Sequence, residues 1–283
     1  MQRHTVTGAA EMLHISQPAM SCLLADFEES VGYSLFDRNQ GRRLVPTPEA
    51  HVLYNEVKRA FVGLERIALV SEQIRTMRRG SLRIASAPAL SLNLLPDAIV
   101  TFMREHDGVD VSLIADSSLT ALELLAGEQC DFCFLALAIS HPSVHIEVFY
   151  EGPMACIVPQ HHQLACKPII RPEDLADEVF VSYDETIDAR ITIDKVFVAH
   201  GVQRKTPIDV HLSQSILALV EQGLGVSLIE PVTALYASTR VAVRKFEPSI
   251  PYKIYLATLN GQSVSALGTK FISLVRSKLG TTL

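Results

Sequence analysis

Four short stretches carry hydroxyls and carboxylates where a chain can hold a small molecule. Ser86-Ala87-Pro88-Ala89-Leu90-Ser91, Asp116-Ser117-Ser118, Ser182-Tyr183-Asp184-Glu185-Thr186 and Leu212-Ser213-Gln214 each follow an apolar, β-prone run and lead into a helical pattern. In open α/β sheets, ligands bind beyond the carboxyl ends of strands, and free N–H groups at a helix start favour an anion. Hydroxyl and N–H groups of Ser86, Ala87, Ser91, Ser117, Ser118, Ser182, Thr186 and Ser213, with Pro88 shaping the first turn, would hold a carboxylate. Asp116 or Asp184 would pair with an ammonium. Taken one at a time, each stretch is also an ordinary helix N-cap. Catalytic chemistry is not indicated. No serine sits in a nucleophile elbow. Cys130-Asp131-Phe132-Cys133 falls on an expected buried strand with no second pair, so it reads as core rather than redox or zinc chemistry. His161-His162 with Cys166 lacks a further ligand at useful spacing and reads as an exposed turn after Pro159. Gly223-Leu224-Gly225 lacks the third glycine of a dinucleotide fingerprint. No metal or cofactor is expected.

These stretches need a sheet to position them. Strands are expected over 81–86, 109–114, 132–136, 179–182, 208–211, 225–229 and 252–258, and helices over 95–104, 119–126, 188–200, 215–222 and 263–278. Strand and helix alternate, which implies an α/β domain with a largely parallel sheet and crossovers. Upstream the pattern is helical. Gly80 breaks a single long helix that starts at Pro48. Along it Ala50, Leu53, Val57, Ala60, Leu64, Ile67 and Ile74 step by threes and fours, a coiled-coil seam spanning roughly 45 Å. Such a stripe needs a partner, either a second copy or the chain's own α/β domain.

The N-terminal part has a different logic. Ser16 is a good N-cap, and Pro18 fits the first turn of a helix. Met20, Leu23, Leu24, Phe27 and Val31 form one apolar stripe. Gln17, Pro18, Ser21, Cys22 and Ala25 form a small, uncharged opposite face, which suits a helix entering a DNA major groove. Leu35-Phe36-Asp37-Arg38, a turn at Asn39-Gln40-Gly41, and Arg42-Arg43-Leu44-Val45 read as a β-hairpin. Arg38, Arg42 and Arg43 would touch phosphate or the minor groove, or else form a solvated charged tip.

Composition sets the outer bounds. The 283 residues are too many for one typical domain, and 48% hydrophobic with 20% charged residues is a globular mixture. No uncharged apolar run reaches about 18 residues and no signal-peptide core is seen, so no membrane partner is expected. Five scattered cysteines suit a reducing cytoplasm. The net charge of −6 is uneven: residues 1–80 carry ten Lys and Arg against nine Asp and Glu, the remainder fifteen against twenty-two. Attraction to phosphate must therefore come from local arginines rather than an overall field.

Ala9-Ala10, Leu13-His14-Ile15-Ser16-Gln17-Pro18-Ala19-Met20-Ser21, Phe27-Glu28, Gly32, Leu35-Phe36-Asp37-Arg38 and Pro46-Thr47, in this order and spacing, resemble the LysR-type transcriptional regulators. The resemblance implies a winged helix-turn-helix DNA-binding domain over 1–47, a linker and dimerisation helix over 48–79, and a two-lobed, periplasmic-binding-protein-like effector domain over 80–283. Lobe I would span about 81–155 and 258–283 and lobe II about 156–257, with crossings near Ala155–Val158 and Tyr255–Thr258. It implies double-stranded DNA, a small-molecule effector, further copies of the chain as homodimer or tetramer, and RNA polymerase as partners. It assigns DNA contact to Ser16, Gln17, Pro18, Ser21 and Cys22, and strengthens Ser86, Ser117 and Ser182 as effector contacts.

Two departures stand out. Family members usually carry Arg or Lys after the second serine of the motif, where this chain has Cys22. The resemblance also implies a helix before Thr5, so either the true start lies upstream of Met1 or the chain is a truncated paralogue acting through dimerisation. Ala60-Phe61-Val62-Gly63-Leu64, Asn93-Leu94-Leu95-Pro96 and Gly223 to Leu235 are most similar to the amino-acid-responsive branch, the lysine-biosynthesis and opine-catabolism regulators. That implies an effector such as diaminopimelate, lysine or an opine. The rival from another class is a solute-binding α/β protein without DNA binding.

Overall fold

The computed structural model describes residues 5–37, 44–54, 56–57, 67 and 80–282. The chain divides into two compact units, Met1–Glu72 and Gln73–Leu283.

In the first unit, α1 (Val6–Met12) is capped by Thr5, and α2 (Gln17–Val31) by Ser16, whose Oγ accepts from Ala19 N at 3.3 Å. His14, with φ 56°, turns the chain between them. Gly32 ends α2 in the left-handed conformation (φ 81°), where a side chain would be strained. The Glu28 carboxylate accepts from Leu35 N (2.7 Å) and Phe36 N (3.1 Å), tying α2 to an antiparallel pair, β1 (Phe36–Asp37) and β2 (Val45–Pro46). Thr47 Oγ1 then accepts from Ala50 N at 3.2 Å and starts helix α3, which is described over 48–54. The expected stripe on α2 is only half right. Met20, Leu24 and Val31 are half-buried, whereas Leu23 (54% exposed) and Phe27 (44%) face outward. The half-buried side runs through Met20, Leu24, Glu28 and Val31, and Glu28 ties it to Leu35. Arg38, Arg42 and Arg43, and the linker positions Ala60, Leu64 and Ile74, lie outside the described residues.

The second unit has two lobes. Lobe I is built on a five-stranded sheet ordered β4-β3-β5-β13-β6: β3 (Gly80–Ser86), β4 (Val109–Ala115), β5 (Phe132–Leu135), β6 (Val144–Pro153) and β13 (Pro251–Leu259). Its helices are α4 (Pro88–Ser91), α5 (Leu94–Glu105), α6 (Ser118–Ala126) and α10 (Ala266–Thr282). Alternate residues along β3 serve opposite faces: Leu82 and Ile84 pack with Phe102, Phe132 and Phe271, and Ala85 packs with Leu122, Leu125 and Cys133. Each fully buried phenylalanine contributes about 1.5–3 kcal/mol.

Lobe II has the order β11-β7-β12-β8: β7 (Ala155–Pro159), β8 (Ile169–Ile170), β11 (Ser227–Ile229) and β12 (Val241–Phe246). A parallel pair, β9 (Val179–Tyr183) and β10 (Lys205–Val210), joins β11 through a bridge from Phe180 to Val226. Helices α7 (Asp188–Ala199), α8 (Ser213–Glu221) and α9 (Pro231–Ala234) complete it.

Three expectations are corrected. The sheets are mixed rather than largely parallel: β3, β4 and β5 run parallel, but β13 is antiparallel to both β5 and β6. Crossing strands enter each lobe from the other and so run against its own βαβ units. The second crossing is not at Tyr255–Thr258, which pair with β5 and β6 deep in lobe I, but between Phe246 and Pro251. The first lies at Met154, ahead of Ala155–Val158, which belong to lobe II. The crossings are tied together, because Met154 N donates to Ile250 O at 2.8 Å and both residues are buried.

Candidate functional site

On α2 the expected reading face is free. Ser16, Gln17, Pro18, Ser21 and Cys22 are all exposed, and the first turn carries no acidic residue to repel phosphate. The Ser16 oxygen is spent on the cap, which leaves Gln17 and Ser21 as the polar tips.

In the second unit the four expected stretches meet different ends. Ser86 is buried, and its hydroxyl donates to Ala87 O at 3.0 Å. Ser91 Oγ reaches Ala87 O (3.3 Å) and Ser86 O (3.4 Å), and Pro88 opens α4. Asp116 lies beside Ser86, its N–H donating to Ser86 O at 3.1 Å, while its carboxylate accepts from Ser117 N at 2.7 Å. Ser117 caps α6, accepting from Thr120 N at 3.1 Å. Ser118 is buried and accepts from Ala136 N at 3.0 Å, which fixes α6 to the end of β5. Ser182 is buried, and among the described residues its hydroxyl has no hydrogen-bond partner. Asp184 accepts from Thr186 N (2.9 Å) and Thr186 Oγ1 (2.5 Å), and these bonds hold its carboxyl below the ordinary range. Asp184 and Thr186 thus form a local turn.

Ser213 leads to the group that the sequence reading missed. The carboxylate of Glu230, the residue between β11 and α9, accepts from Tyr183 Oη at 2.5 Å and from Thr233 Oγ1. With its one proton given to Glu230, Thr233 Oγ1 accepts from Gln214 Nε2 (3.3 Å) and lies 3.1 Å from Ser213 Oγ. Gln214 Nε2 also lies 3.4 Å from the Ala89 carbonyl of α4. Ala89 belongs to lobe I and the others to lobe II, so this polar string crosses the seam between lobes. Beside it Val232 of α9 is buried in the lobe I core, and Tyr252 packs on both cores. Burial, then the Glu230 charge, pushes the Tyr183 phenol well above its ordinary range, so it remains a neutral donor. The same two causes raise Tyr252.

A charged cluster holds the end of β9. Arg190 donates to Tyr183 O (2.8 Å) and to Asp209 (2.8 Å), and its single Nε–H is shared between the two Asp194 carboxylate oxygens. Arg204 pairs with Asp194 and lies over the rings of Phe180 (4.6 Å) and Phe197 (4.5 Å). The Glu230 set had a sequence signal: a carboxylate and a proline directly after the apolar run Val226–Ile229, again at the carboxyl end of a strand.

Both parts of the chain match one family. Residues 75–280 match the LysR substrate binding domain, and residues 1–51 match the bacterial regulatory helix-turn-helix protein of the lysR family. The chain belongs to the LysR family of transcriptional regulators. It is 32% identical over 272 residues to the transcriptional activator protein LysR of Escherichia coli strain K12, covering 96% of this chain and 87% of that one. It is 32% identical over 242 residues to the octopine catabolism/uptake operon regulatory protein OccR of Rhizobium meliloti, covering 85% of this chain and 80% of that one. The crystal structure of full-length CbnR with its target DNA shares the fold, with a TM-score of 0.74 at 18% identity over 96% of this chain and 93% of that one. As a LysR-type regulator the chain binds DNA, takes a small-molecule effector and oligomerises, and the family is not enzymatic. The helix-turn-helix match removes the rival reading of a solute-binding protein without a DNA-binding part.

Proposed function

We propose that this regulator senses an amino-acid-like effector held in the seam between its lobes, and that α2 reads its operator. The observation that carries the effector reading is the meeting of strand ends there. Gln214 at the start of α8 reaches Ala89 of α4, and through Thr233 it is linked to Glu230 after β11 and to Tyr183 at the end of β9, which supports a ligand set drawn from Tyr183, Ser213, Gln214 and Glu230 with Ser86, Ser91 and Asp116 after β3 and β4. A zwitterion needs donors for its carboxylate and acceptors for its ammonium, and this set contains both. Ser117, Ser118, Asp184 and Thr186 support the walls through their own caps and turns. The similarity to OccR, named as the regulator of an octopine catabolism and uptake operon, supports the same class.

The polar string from Glu230 to Ala89 spans both lobes, so an effector that engages it prefers one lobe arrangement and shifts the population toward it. Gln17, Ser21 and Cys22 would face base edges, and Ser16, Pro18, Arg38, Arg42 and Arg43 would position the helix and wing. The helix over 48–79 would pair two subunits, and the bound dimer would act on RNA polymerase in the cytoplasm. Calorimetry of the full chain tests the effector class. Lysine, diaminopimelate or an opine should give saturable heat while benzoate gives none. The reverse pattern would refute it.

A further inference from the structure

Glu230 is only 3% exposed, yet no Lys, Arg or His among the described residues lies within ion-pairing distance of its carboxylate. A buried carboxylate is costly unless positive charge or several hydrogen bonds compensate it. Tyr183 Oη and Thr233 Oγ1 supply one bond to each oxygen. An ionised carboxylate has about four acceptor positions, and the described side chains use two of them. The surrounding groups do not suit a metal ion: among the described residues no cluster of metal-ligating side chains occurs, and the two hydroxyls point protons at the carboxylate. An acceptor-rich carboxylate held between two hydroxyl donors suits a cation that brings its own N–H donors.

We propose that Glu230 is the recognition carboxylate for a positively charged end of the effector, an ammonium or guanidinium. This rests on the reading that an amino-acid-like molecule binds in the seam, and it names the part of that molecule the site selects. Tyr183 and Thr233 hold the carboxylate in one orientation. Arg190 fixes Tyr183 through its carbonyl at 2.8 Å. Ser213 and Gln214 continue the string, and the 3.4 Å contact from Gln214 to Ala89 joins it to lobe I. A cation docking on Glu230 therefore pulls on the same string that bridges the lobes, which links charge recognition to lobe arrangement. A neutral isostere would fill the same volume but leave the buried carboxylate without its counter-charge, and a polar site rejects such an analogue strongly.

The test is calorimetry of the full chain with two matched pairs, arginine against citrulline and lysine against 6-hydroxynorleucine, in which a hydroxyl replaces the ammonium. In each pair that binds, the cationic member should bind at least about tenfold tighter, the scale of a charge-assisted hydrogen bond. Glu230→Gln keeps the shape and should erase that preference by weakening the cationic member alone. Glu230→Asp keeps the charge and should retain part of it. Equal affinities within both pairs for the wild-type chain would overturn the role of Glu230 while leaving the amino-acid reading intact, as would a preference that survives Glu230→Gln. No binding of any of the four to the wild-type chain would overturn the role of Glu230, and no heat from diaminopimelate or an opine either would overturn the amino-acid reading as well. The wild-type comparison needs no variant, so it decides the matter even if Glu230→Gln fails to fold.

Discussion

Ser118 is held by a bond that is easy to remove and hard to replace. Its Oγ accepts the Ala136 N–H at 3.0 Å from a buried position, and alanine there would leave that N–H without a partner. Ser118→Ala should cost about 1–3 kcal/mol, read as a lower urea midpoint at unchanged slope. The cysteines give a second residue-scale prediction. Burial, then the Asp131 charge, pushes the Cys130 thiol up to about 12, and burial raises Cys133 and Cys156 further. Cys22 and Cys166 are exposed. A thiol reagent at pH 8 should label two of the five cysteines in the native protein and all five after denaturation, and native labelling of Cys133 would contradict the packing. Single residues were only partly legible in the sequence. The hydroxyls of Ser86 and Ser118 stand where strand ends predict them, but which partner each one takes depends on Ala87 and Ala136, and no periodicity reports that. Glu230 went unnoticed because one carboxylate after an apolar strand looks like a solvated strand end until Tyr183, some fifty positions away, is brought against it.

Elements announce themselves when their ends carry chemistry. Helix α2 was legible because Ser16, Pro18 and Gly32 mark its start and stop, and the turn before it follows. Strand β6 was not. A bulge at Phe149, where the pairing with β13 shifts register, breaks the alternation begun by Val144 and Ile146. Strand β12 hides behind Arg244 and Lys245, although the Arg244 guanidinium is spent on the Ala165 carbonyl at 2.9 Å. Gly225 offers a test of how lobe II is assembled. A Cβ there would sit 2.1 Å from the Val179 carbonyl oxygen, the same oxygen that accepts from Val226 N at 2.9 Å. Backbone cannot yield as a flexible side chain can. Gly225→Ala should therefore destabilise the effector domain by about 1–3 kcal/mol, seen as a lower thermal midpoint. An unchanged midpoint would mean that β9 and β11 are less closely joined than the bridge at Val226 requires.

At the scale of the whole molecule, the chain couples a helix built to meet DNA with a two-lobed domain built to hold a small molecule. The lobes touch through plain backbone at the Met154–Ile250 crossing, through the apolar packing of Val232 and Tyr252, and through the polar string at Glu230, which a ligand can change. The α/β alternation and the helix-turn-helix were legible because both are written in local spacing. The second crossing was misplaced because an antiparallel strand in the middle of lobe I has the same apolar run as a strand passing between lobes. The central claim is that the outward edge of α2 touches base pairs, and it is tested most directly by equilibrium binding of the full chain to DNA from its own upstream region across a salt series. Affinity should fall steeply and linearly on logarithmic axes. Gln17→Ala should weaken specific binding by about 1–3 kcal/mol with the slope unchanged, and Cys22→Arg should add a phosphate contact and steepen the slope by about one. Binding indifferent to salt, or unaltered by both substitutions, would contradict it.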